Sequence, residues 1–188
     1  VATSIQDGDT NGNEFRVYEF TGIGHLMARH NPRMTAQLCV NKPTQYPLEV
    51  FFPVALHHLF EWVDKDTLPP RADRVLVDRN MNNDGSLMVL DDHGNPVGGI
   101  RNPYVDVPFA QYIAGNTLAD GQDAALSVVC RLSVYEVPFT QAKLRELYGS
   151  KANFLSQFED NLNQHEAAGW SLPVYHDLIM ADAEAIEF

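Results

Sequence analysis

The stretch FRVYEFTGIGHLM, residues 15–27, decides how this chain is read. From Phe15 to Thr21 bulky and polar side chains alternate, the two-residue period of a half-buried β-strand. The pattern stops in Gly22-Ile23-Gly24, and a single imidazole, His25, follows at once. Glycines let the backbone turn sharply and let other groups come close, so a side chain placed after them is presented rather than buried. Strand ends of this kind are where α/β sheets keep their working residues. A lone histidine near a strand end is commonly structural; the flanking glycines are what make His25 a candidate catalytic residue.

Working outward, Phe52, Ala55, Leu56, Leu59, Phe60 and Val63 recur at helical spacing and predict a helix over Leu48 to Asp64. Pro69-Pro70 marks its stop. Upstream of it, residues 31–47 carry three prolines and read as a loop. Two short apolar runs, Val75 to Val77 and Leu87 to Leu90, flank the turn-forming NMNNDGS and predict a hairpin. The following DDHGNPVGGIRNPYVDVPFAQY, residues 91–112, is so rich in Gly and Pro that it reads as irregular. Three helices close the chain: Thr140 to Tyr148 with a threonine cap, Lys151 to Ala168 before Gly169, and Tyr175 to Ile186 after Pro173.

With 188 residues, 45% of them apolar, the chain can bury a core of its own. Its formal charge of −12 repels phosphate backbones and anionic bilayers, so nucleic acid is not an expected partner. No apolar run approaches the roughly 20 residues that span a bilayer. Cys39 and Cys130 belong to no C-x-x-C pair; two buried free thiols and one long-range disulfide both remain open. The first residue is Val1, from which we expect that something upstream has been removed.

RVYEFTGIGH, ALHHLFEWVDKDTLPP, DDHGNPVGGIRNPYVDVPFAQY and VPFTQAKLRELYGSKANF together resemble the C-terminal part of the α/β-hydrolase-domain family of bacterial and fungal proteins. That family carries G-x-x-H after its final core strand, a helix ending in W-V-x-x-G-x-x-P-P, and G-N-x-x-G-G-[VI]-R-x-P-x-V-D-V-P. Here Asp66-Thr67 stands where the tryptophan helix is usually followed by Gly. The resemblance implies an α/β class: the C-terminal portion of an α/β-hydrolase fold, made of the last core strand, helices, an irregular insertion and a helical tail. It implies the triad base for His25, which takes the proton of a serine nucleophile and returns it to the leaving group. It implies ester hydrolysis without a cofactor.

In that fold serine and acid precede the histidine along the chain. No G-x-S-x-G occurs, and Ser86, Ser127, Ser133, Ser150, Ser156 and Ser171 all lack an elbow. The expected partners are therefore the upstream part of the same hydrolase, in the same or a separate chain, and a small-molecule ester. Asp7 and Asp9 are possible acids, although QDGDTNGN reads more simply as a solvated loop. A non-catalytic binding or assembly module on the same scaffold is the alternative. Possible pairing of the cysteines, and the signal peptides of the resembled family, lean toward export.

Other clusters have plainer readings. Asn80 to Asp91 and Asp7-x-Asp9-x-Asn11-Gly12 imitate calcium-loop spacing, but the first begins with Asn and ends in Asp, and the second has Tyr18 in its twelfth place. His57 and Glu61 stand one helical turn apart without a third ligand and read as an exposed face. Arg101, Tyr104 and Asp106 read as a network that fixes irregular backbone.

Overall fold

The computed structural model describes residues 7–29, 38–78 and 87–188. A tight turn at Asn11-Gly12 joins β1 (Gly8–Thr10) to β2 (Asn13–Phe15) as an antiparallel hairpin. The second sheet pairs β3 (Ala110–Ala114) with β4 (Val134–Pro138), also antiparallel, with Tyr112 opposite Glu136. The helices are α1 (Leu48–Lys65), the single turn α2 (Pro103–Asp106), α3 (Ser127–Arg131), α4 (Gln141–Tyr148), α5 (Lys151–Ala167) and α6 (His176–Glu184).

The helix boundaries follow local chemistry. Thr140 accepts a bond from the Lys143 amide and Ser150 one from the Asn153 amide, each satisfying a donor that its helix leaves unpaired. Gly149 and Gly169 end α4 and α5 at positive φ. Pro173 opens a 3-10 turn that runs straight into α6, beginning at His176 rather than Tyr175.

An aromatic core binds these elements. Tyr46, Phe51, Tyr104, Tyr112, Tyr148, Phe154 and Phe158 are buried together with Leu144, Leu162 and Ile179. Tyr46 and Tyr104 rings lie 4.7 Å apart, and Tyr104 meets Phe158 edge-on at 5.6 Å. Only the first turn of α1, through Val50 and Phe51, enters this core; Val54 is buried as well. On the same helix Phe52, Leu56, Leu59, Phe60 and Val63 are exposed, by 47 to 74%.

Two sequence expectations need correction. The residues after β2 form no regular strand: 16–19 lie outside any ladder, and Phe20 pairs with Ile100 in one isolated parallel bridge. Glu19 and Thr21 exchange backbone bonds with Ile100, while the Glu19 carboxylate leaves the ladder direction to bind Arg74 and the Val75 amide. Residues 91–112 are less irregular than their composition suggests. Asn102 caps α2 through the Tyr104 amide with Pro103 in the first turn, and Ala110–Ala114 alternates buried and half-buried positions as β3.

The paired runs read as a hairpin do pair, Val77 opposite Met88, while most of the turn between them lies outside the described residues. A third segment joins them. Leu76 donates to Val97, Val97 to Val89 and Val89 back to Leu76, each at 2.9 Å, so three extended segments close into a ring.

Candidate active site

His25 is exposed. Its amide and that of Leu26 both donate to the Leu132 carbonyl, at 3.0 and 3.3 Å, and Leu26 bridges Ser133 in parallel. Gly22 takes φ +83°, and a Cβ on Gly24 would lie 2.8 Å from the Val134 amide nitrogen. Glycine is therefore required for the turn to lie flat on residues 132–134. Among the described residues no hydrogen bond engages the imidazole, so the ring is carried on a fixed backbone with its nitrogens open to a group from outside.

The backbone beneath His25 is itself fastened. Cys130, in α3, is joined to Cys39 by a disulfide with a Cα–Cα distance of 5.6 Å, which decides between the two readings of the cysteines. Past the turn, the Ala28 amide donates to Thr44, and Arg29 binds Asp182 at 2.7 Å, Glu49 at 3.0 Å and the Gln45 carbonyl at 3.1 Å. Tyr104 donates its hydroxyl to the same Asp182 oxygen at 2.7 Å. Tyr104 thus belongs to the cluster that anchors α6, and not with Arg101 and Asp106 as its place in the sequence suggests.

Arg101 is the hub of its own network. It donates to Asp91, Asp106 and the carbonyls of Pro96 and Val105. Asp91 in turn accepts from the amides of His93 and Asn95. Asp106 is also 3.1 Å from His165. Burial alone would raise the Asp106 carboxyl, but the hydrogen bonds from His165 and Arg101 overcome it and hold the group below its ordinary range. The reading of Arg101 and Asp106 as fasteners of loop backbone holds; the contribution of His165, far away in sequence, was not legible.

The acids considered for His25 are engaged elsewhere. Asp7 accepts from the Val17 amide at 3.0 Å, and Asp9 pairs with Arg16 and Arg71. These contacts also give the Asp7 loop a plain structural role. Glu61 is bound by Lys65 at 2.8 Å, leaving His57 on an exposed helix face. Much of the Asn80–Asp91 loop lies outside the described residues; Asp91 itself serves Arg101.

A second feature lies along the segment that leads to His25. Phe15, Arg16, Tyr18 and Phe20 form one wall, and Phe52, Ala55, His58, Leu59 and Trp62 the other, of a groove of about 450 Å³. Arg16 lies over the Trp62 ring at 5.2 Å, and His58 Nε2 is 2.8 Å from the Gly169 carbonyl. Tyr18 donates to the Pro70 carbonyl, and burial pushes its phenol up to about 12.

Compared with known families, residues 1–181 match the model described as "Alpha/beta hydrolase domain". No curated protein and no solved structure matches the chain.

Proposed function

The chain belongs to the alpha/beta hydrolase domain family, and on that premise we propose that it contributes the triad histidine, His25, to a serine hydrolase acting on carboxylic esters. The observation that carries the reading is an exposed imidazole, free of hydrogen bonds among the described residues, on a glycine turn held from below by residues 132–134. In this reading the chain is the C-terminal portion of the hydrolase. One ring nitrogen of His25 accepts the proton of a serine hydroxyl as its oxygen attacks the ester carbonyl. The resulting imidazolium gives that proton to the departing alcohol, and water then releases the acyl group by the same route in reverse. In this reading serine and acid come from polypeptide beyond this chain; no elbow motif occurs in it, Asp7 is bound to the Val17 amide, and Asp9 is paired with Arg16 and Arg71.

The Cys39–Cys130 disulfide fits an exported hydrolase, because such bonds persist in oxidising compartments. The test is His25→Ala in the complete enzyme with a p-nitrophenyl ester. We expect turnover to fall by at least about 10³-fold with an unchanged circular dichroism spectrum. Retained turnover removes the assignment.

One observation favours the second reading, a non-catalytic assembly module: the apolar side chains that α1 leaves exposed. The polypeptide that accompanies the chain discriminates. A G-x-S-x-G elbow there supports the enzyme, and its absence supports the module.

A further inference from the structure

The exposed side of α1 is unusual for a chain of this charge. Phe52, Leu56, Leu59, Phe60 and Val63 repeat at intervals of three and four, forming one stripe along the helix. They leave on the order of 600 Å² of apolar surface in water, at the upper end of what a monomer exposes and close to one side of a standard interface. A helix stripe of this kind is ordinarily buried against another element.

Three observations identify the occupant. A small ligand is enclosed over most of its surface, whereas Phe60 and Val63 are 60 and 74% exposed and lie outside the groove walls. A second copy would bring another −12 charge to the contact, which opposes association. The groove wall of Tyr18 and Phe20 belongs to the segment that leads to His25, so the surface is continuous in the chain with the turn that carries the imidazole.

We propose that the Phe52–Val63 stripe of α1, with the Phe15–Phe20 groove wall, is the docking surface for the β-sheet body that carries the serine nucleophile of the hydrolase. This rests on the triad reading of His25. The described residues hold only two two-stranded sheets, and a sheet with an apolar face is the element that the α/β class packs against such a helix. Docking buries the stripe and completes the site in one step.

The test uses the complete hydrolase carrying Phe60→Cys. Both cysteines of this chain are paired, so the added thiol is the one in the chain that a maleimide modifies, and peptide mapping reads the label at position 60. We expect modification on the order of 100-fold slower in the native enzyme than in denaturant. Leu56→Asp should raise the native rate and lower ester turnover. Rapid modification of native Phe60→Cys enzyme overturns the proposal. So does sedimentation of the complete hydrolase as a dimer that Leu56→Asp converts to monomer, because the occupant is then a second copy. His25→Ala should leave the thiol protected; protection together with undiminished turnover in His25→Ala sinks the triad role while leaving the docking surface standing.

Discussion

At the scale of single residues, the end of α1 shows what one departure from the family pattern does. Asp66 sits in the left-handed region at φ +55°, and the next amide, Thr67, bonds back to Glu61 at 3.2 Å. This is the helix stop that normally calls for glycine, and the resembled family places Gly there. A side chain costs energy in this conformation, and a carboxylate also opposes the negative end of the helix dipole. Asp66→Gly should therefore stabilise the protein by about 0.5 to 1 kcal/mol, read from urea unfolding. An unchanged or lower midpoint would show that Asp66 makes a compensating interaction. The glycine turn before His25 was legible at this scale because Gly22 and Gly24 lie next to it in sequence. The pairing of Arg29 and Tyr104 through Asp182 was not, because nothing local links residues that far apart.

Among elements, those with local rules were the most readable. α4 and α5 announce themselves by Thr140 and Ser150 at one end and by Gly149 and Gly169 at the other. β3 escaped notice because its flanks are rich in Pro and Gly, and because its pairing partner, β4, lies across a long connection. The residues before His25 have a strand's alternation but lack a ladder among the described residues, since pairing is a tertiary property that periodicity does not report. The turn at His25 depends on α3 as well. The Cys39–Cys130 bond closes a loop of 91 residues, and removing it as Cys39→Ala/Cys130→Ala should cost about 4 kcal/mol of stability. Because Cys130 lies just before the Leu132 carbonyl that holds His25, we also expect turnover to fall before the protein unfolds when reductant is titrated. Coincident loss of activity and of fold would show that the bond acts on stability alone.

For the whole molecule, an excess of carboxylates makes acid the revealing variable. Burial would raise Glu19, yet its hydrogen bonds from Arg74 and the Val75 amide hold it below its ordinary 4.5, and Asp106 lies below its ordinary 3.8 for the reasons given above. A carboxyl with a lowered value in the folded state adds stability that is complete above its unfolded value and is lost as pH falls through the folded one. The melting temperature should thus decline on acidification through and below this range, and more gently in Glu19→Gln. An equal slope in that variant would assign the acid limb to other groups. The ring formed by Leu76, Val89 and Val97 bears on a different hazard. Strand edges recruit other chains, and three segments each paired on two sides present no open rim. Should concentrated samples of this protein form ordered fibrils, growth ought to begin at the β1–β2 hairpin, whose strands are largely exposed, and spare the glycine-rich segment that composition alone would single out as the loosest.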